Sequence, residues 1–275
     1  MRRNVPAAAV STARAPTANE TPKEALSPWL FVFPILVPTA GLLTMASTIG
    51  YSCMNQFTCS KKYPTLSTAA TYHPQFYFFA VGMNITSYAI FLAVSLFSIY
   101  LQRTCTKPWV RKTAYVYYGF GLLTCGGLSV LATFDMKRWL WPHIYATVFF
   151  FFSSWIMMFI AQVTRWTLQY YQPDDVRQHT SAVRWGAFFL GLGIFLSLCF
   201  GFCYLSVHGY IDNVFGITYL MEAMCELFSI VCQLLFMGTL SSEVGGLRGL
   251  GHYVTLLDAT VLSTLLAAVV AVEYL

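Results

Sequence analysis

Long apolar runs alternate with short polar segments along the whole chain, and the length of the runs is the first clue to what it is. Apolar stretches of about 20 residues match a bilayer core of about 30 Å at a rise of about 1.5 Å per residue. In lipid only helices and closed barrels pair all of their backbone groups, and runs this long and continuous predict helices. Six spans are expected, roughly Pro28–Gly50, Phe76–Leu101, Ala114–Thr133, His143–Val163, Gly186–Ser206 and Gly216–Leu240. The fold class that follows is all-α, an integral membrane helix bundle. Pro28 stands at a helix start, and Pro34 and Pro38 are expected to kink the first span.

The two ends of the chain read differently. Residues 1–27 carry Arg2, Arg3, Arg14 and Lys23 among Ala, Thr, Ser and Pro, lack the apolar stretch of a signal peptide, and read as a disordered cytosolic tail. Residues 28–243 form the membrane domain. In the segment 244–275, Tyr253 to Tyr274 is long and apolar enough to span, but Asp258 lies inside it. A charge near a helix end can snorkel or face the bundle. The segment is therefore either a seventh span or a helix lying on the cytosolic surface.

Composition agrees with the pattern. Of 275 residues, 57% are hydrophobic and only 10% charged, against roughly 25% charged in an ordinary soluble domain. The net charge of +5 is thus a matter of topology and lipid contact, not of nucleic-acid binding. The N-terminal tail and the 102–113, 164–185 and C-terminal segments hold twelve Lys and Arg, and the segments on the other side hold four. Basic residues favour the cytosolic side. The N-terminus is therefore expected in the cytosol, and the first, third and fifth loops in a lumen.

Polar residues inside the spans mark where chemistry is expected, because charge in a bilayer is costly. Glu222, Glu226, Ser229 and Gln233 are spaced 4, 3 and 4 apart, which puts them on one helix face, turned toward the bundle interior or a wet cavity. Asn84 and His143 lie at a similar depth from the same end, and His73, Asp135, His208 and Asp212 lie in loops on that side. Asn84, His143, Glu222, Glu226 and Gln233 are thus the residues expected at a polar cavity in the luminal half. An ionised Glu226 there must be hydrogen-bonded, hydrated or neutralised. The alternative is a seam of hydrogen bonds that only knits helices together.

Cys53 and Cys59 are close enough to form a disulfide if the first loop lies in an oxidising lumen, whereas cysteines within the spans read as small packing residues. No HExxH pattern or pair of histidines one turn apart points to a metal, and Ser67 has no base beside it in sequence. The motifs specify no cofactor and no catalytic set.

Short motifs resemble the DRAM/Frag/Sfk family, whose domain is also the N-terminal module of Cwh-type cell-wall proteins. Pro64-Thr65-Leu66-Ser67 is similar to the family's P-x-[IV]-S segment, followed by Pro74-Gln75 and a helix that carries Asn84. The run from Gly121 through Gly127-Leu128-Ser129 to Ala132-Thr133-Phe134-Asp135 resembles the family's third span. His143 stands where the fourth helix opens with histidine, Cys225-Glu226-Leu227 where members have C-E-W, and Glu243 at an acidic position closing the sixth helix. Leu227 and Thr133 depart from the pattern, and Pro74-Gln75 is nearer the GPI-remodelling branch than the Pro-Glu of the autophagy branch.

The resemblance implies six spans with a cytosolic N-terminus and a role in endomembrane lipid handling, foremost GPI-anchor lipid maturation in the Golgi or endoplasmic reticulum. A lysosomal autophagy modulator is the second reading it implies. A luminal hydrolase using His and carboxylates is a third, from another class. The partners expected are membrane lipids or a GPI glycolipid, together with membrane proteins.

The charge asymmetry predicts that the Asn19-Glu20-Thr21 sequon never meets the glycosylation machinery. A glycan on Asn19 of the protein made in eukaryotic cells, detected by a glycosidase-sensitive mobility shift, overturns that orientation.

Overall fold

The computed structural model describes residues 28–60, 62–105, 107–171 and 179–247, so the N-terminal tail and the 253–274 segment lie outside the described residues. Pro28–Phe31 forms a 3-10 turn that leads into α1, Val32–Asn55. A one-turn helix α2, Leu66–Ala69, precedes α3, Gln75–Thr104, and α4, Pro108–Thr133. The long helices α5, Leu140–Tyr171, and α6, Thr180–Val207, are followed by α7, Tyr219–Gly238, and the one-turn α8, Ser241–Val244. Among the described residues six helices are long and apolar enough to cross a membrane, and there is no strand.

Most of the helices outrun the apolar stretches that announce them, though α7, at Tyr219–Gly238, falls inside its expected span. The fourth expected span stops at Val163, whereas α5 continues to Tyr171 and α6 begins at Thr180. Beyond the bilayer core water can also pair backbone groups, so the end of an apolar run does not mark the end of a helix. Arg165 therefore belongs to a helix and not to a loop. Pro34 falls in the first turn of α1, where a missing N–H costs no hydrogen bond, so only Pro38 interrupts the interior. Exposed Trp29, Trp109, Trp166 and Trp185 ring one end of the bundle, and Trp139, Trp141, Tyr145 and Tyr210 ring the other. Such aromatic belts sit at headgroup level.

Each helix packs on its neighbours in a closed circuit, α1 on α3, α3 on α4, α4 on α5, α6 on α7 and α7 back on α1. The α5–α6 seam is the sparsest of these joints. The most deeply buried span is α3, and α6 is the most exposed. Lipid offers no hydrophobic drive for helix association, so small residues and hydroxyls carry it. At Gly127 a Cβ would lie 3.1 Å from the backbone of Phe150, so glycine lets α4 and α5 meet closely. Ser129 Oγ donates to Ser87 Oγ at 3.0 Å, and Ser87 Oγ donates to the Cys125 carbonyl at 2.9 Å, tying α3 to α4.

At the end where α1 begins, Arg165 is almost wholly buried and acts as a fork. Its Nε donates to Glu243 Oε1 at 2.6 Å, and its two terminal nitrogens donate to Thr239 Oγ1 and the Thr239 carbonyl at 3.0 and 3.1 Å. Glu243 Oε2 also accepts from Ser242 Oγ at 2.6 Å. On the α6 side, Gln162 Nε2 donates to the Val183 carbonyl at 3.0 Å. A Cβ at Gly186 would come within 2.6 Å of the Arg165 guanidinium. The fork thus pins α5 to the end of α7, and the Gln162–Val183 bond beside it ties α5 to α6.

Removing one member of a buried ion pair strands the other, at a cost of about 3–5 kcal/mol. Arg165→Met and Glu243→Gln are each expected to lower the melting temperature of the purified protein clearly. A melting curve unchanged by both substitutions would show that the fork does not hold the bundle together.

Candidate functional site

At the opposite end, α2 lies between α1 and α7 and is fastened from both. Thr65 caps its start, with the Thr68 N–H donating to Thr65 Oγ1 at 3.2 Å. The first orphan amide, Leu66 N–H, donates to Glu226 Oε2 at 2.6 Å, and Ser67 Oγ donates to Glu226 Oε1 at 3.3 Å. At the other end of α2, the Ala69 carbonyl accepts from buried Ser52 Oγ of α1 at 3.2 Å. The next residue of α1, Cys53, is joined to Cys59 by a disulfide with the Cα atoms 5.4 Å apart. Gln56 and Gln75 hydrogen-bond across the mouth of the same loop.

A cavity of about 240 Å³ opens beside α2, between α5, α6 and α7. At about 30 Å³ per water, it has room for about eight waters, the size of a small polar headgroup. Val148 and Phe200 give it an apolar wall. Its polar wall carries Ser67, His143, Thr147, Tyr204, Glu222 and Glu226, with His208 at the rim. A smaller void of about 40 Å³ lies behind Ser67 and Glu226, lined mostly by apolar residues such as Phe79 and Met83. The α2–Glu226 contact is therefore a partition between the two spaces.

His143 is buried, and its Nδ1 meets the Phe134 carbonyl at 2.8 Å. A carbonyl only accepts, so Nδ1 carries the hydrogen and Nε2 of the neutral ring is an acceptor. That Nε2 has no partner among the described residues. Glu222, on the facing helix, accepts from His208 Nε2 at 3.3 Å through Oε1, while its buried Oε2 is also unpartnered. The His208 ring packs on Tyr204, with centroids 4.4 Å apart, which holds it against Glu222.

The expected stripe on α7 does face inward, since Glu222, Glu226, Ser229 and Gln233 are all buried. Only Glu222 and Glu226 of the four reach the cavity. Gln233 lies about two turns deeper, and neither of its amide atoms meets a partner among the described residues. Asn84 is buried in α3 and donates to the Ala80 carbonyl at 2.8 Å, away from the cavity wall. Similar depth places residues in one layer of a bundle, but the helix face decides whether they meet.

The loop residues divide in the same way. Ser67 is on the wall, and Pro64 is buried just before the Thr65 cap. Pro74, which follows a cis peptide bond, immediately precedes α3. Asp135 closes the α4–α5 turn, its Oδ1 accepting from the N–H groups of Lys137 and Arg138 at 2.9 and 2.8 Å. His73 and Asp212 are exposed, and neither lines the cavity. Tyr204 and Thr147 are wall residues that the sequence reading missed, though a position one turn before His208 on an expected span was a usable signal for Tyr204. Among the described residues no three His, Cys, Asp or Glu side chains are grouped to hold a metal ion. Ser67 is paired with a carboxylate, not an imidazole.

The fold and site define an integral membrane protein with six spanning helices among the described residues and a polar cavity between them at one end. The chain belongs to the family described as Frag1/DRAM/Sfk1/Cwh43P N-terminal domain, whose model matches residues 26–246. No curated relative and no solved structure matches it.

Glu226→Ala leaves the Leu66 N–H and the Ser67 hydroxyl without their buried acceptor, which costs about 1–3 kcal/mol. Amide hydrogen exchange around α2 is expected to speed up strongly in this variant and only slightly in Glu226→Gln, which retains a carbonyl oxygen. Equal protection in Glu226→Ala and the parent protein would show that this contact does not hold α2.

Proposed function

We propose that this protein handles membrane lipid, taking a polar headgroup into the cavity between α2, α5, α6 and α7 while the acyl chains stay among the helices. The observation that carries the reading is a headgroup-sized cavity inside a membrane-spanning bundle, with buried, unpartnered His143 Nε2 and Glu222 Oε2 beside an apolar wall. Buried polar atoms without partners are costly, and a polar occupant offsets that cost.

Within lipid handling, GPI-anchor lipid maturation in the secretory pathway is the role we favour, on the Pro74-Gln75 resemblance. The cavity then faces the lumen and the N-terminus the cytosol. Two features support that orientation. The basic asymmetry persists with Arg165 set aside as an internal pair, and a Cys53–Cys59 disulfide belongs in an oxidising compartment.

Cells lacking the protein are expected to carry GPI-anchored proteins with altered anchor lipid or lowered surface level. Re-expressed parent protein restores them, and Glu226→Gln, made and sorted normally, does not. Restoration by Glu226→Gln makes Glu226 a structural group only. Unchanged anchor lipid with altered lysosomal flux favours the autophagy role instead.

A further inference from the structure

The polar atoms around the cavity are unevenly balanced between donors and acceptors. The Ser67 hydroxyl spends its proton on Glu226, and the Thr147 hydroxyl spends its own on the His143 carbonyl at 2.8 Å. His208 Nε2 donates to Glu222. What remain buried and unpartnered are His143 Nε2, an acceptor in the neutral ring, and Glu222 Oε2, an acceptor in the carboxylate. They stand on α5 and α7, opposite walls of the same space, and both residues are more than nine-tenths buried. Tyr204 adds a hydroxyl able to donate or accept, and so does the Thr65–Thr68 pair, whose two hydroxyls share one hydrogen bond at 2.7 Å. Among the described residues the wall holds two carboxylates and neither lysine nor arginine.

Such a wall has no use for a terminal phosphate. A phosphate brings acceptor oxygens and negative charge, and here it meets carboxylates with no lysine or arginine on the described wall to pair it. A group rich in N–H or O–H satisfies both open acceptors at once. We infer that the cavity selects its occupant through hydrogen-bond donors, taking a lipid headgroup that ends in an ammonium or a polyol and leaving its phosphate outside the wall. This rests on the reading that the cavity receives a lipid headgroup. It adds the chemistry by which one headgroup is told from another. Glu222 is the residue that favours an ammonium, through charge, and His143 Nε2 is the acceptor shared by ammonium and hydroxyl groups.

The test uses the full chain purified into nanodiscs, with lipid retention measured by native mass spectrometry. The probes are phosphatidylethanolamine, phosphatidylinositol and phosphatidic acid with identical acyl chains. The first two are expected to be retained about tenfold over phosphatidic acid, the ratio set by about one charge-assisted hydrogen bond. Glu222→Gln keeps the side-chain size and is expected to abolish most of the preference for phosphatidylethanolamine. His143→Asn preserves a donor to the Phe134 carbonyl, removes Nε2 and weakens retention of both favoured lipids.

Phosphatidic acid bound as well as the others, or a headgroup preference unchanged in both variants, overturns the inference while leaving a lipid site standing. If no lipid is retained but free ethanolamine or inositol raises the melting temperature in a Glu222-dependent way, the donor chemistry holds and the lipid reading falls. If neither occurs, both fall.

Discussion

Glu226 brings a carboxylate to a place where water cannot freely solvate it, and the short helix α2 brings amide groups that no turn of its own can pair. Each is costly alone, since a buried charge needs a partner and so does an orphan helix amide. Bonded to each other, Leu66 N–H and the Glu226 carboxylate resolve both problems with one contact, and Ser67 adds a second donor. Much of the site end follows from this contact. It sets where α2 lies, which keeps Ser67 on the cavity wall and seals the small apolar void behind it. It also keeps the connection between α1 and α3 folded into the bundle, where Ser52 secures the far end of α2.

The six spans were readable because a bilayer imposes a length and a composition that few other environments demand. The inward stripe on α7 was readable because helix periodicity is local, and four residues spaced 4, 3 and 4 apart can only share a face. What pairs with that stripe was not readable. The partners of Glu226 lie 160 and 159 residues away, and one of them is a backbone amide that carries no side-chain signal at all. Arg165 was disguised by its neighbourhood, as a basic residue just past an apolar run looks like a loop charge until the helix is seen to continue. Asn84 failed for the opposite reason. Its depth was right and its direction was not, and sequence depth says nothing of rotation about the axis relative to another helix.

Several family-like residues turn out to have plain mechanical tasks. Phe134 presents the carbonyl that fixes the His143 tautomer, Gly127 admits α5 to close contact, and Asp135 ties the turn between those two helices. Together they place one nitrogen, His143 Nε2, at the cavity. The segment from Gly121 to His143 can thus be understood as a mount for an imidazole, with Glu222 held opposite it by His208. Short, degenerate motifs are expected from such a device, because packing and turn geometry tolerate substitution better than direct chemistry does.

The fork at Arg165 has a consequence for how the molecule can move. About six turns of α5, about 33 Å at 1.5 Å per residue, separate it from His143. With α5 and α6 joined at that end by the Gln162–Val183 bond and meeting only sparsely overall, any relative tilt of the pair has its pivot there. The bundle then works like a clothes-peg, with a stiff spring at one end and jaws at the other. On that lever arm a tilt of about 3–4° displaces His143 by about 2 Å, enough to widen or narrow the gap between the jaws by the radius of a methyl group while the spring itself barely stirs.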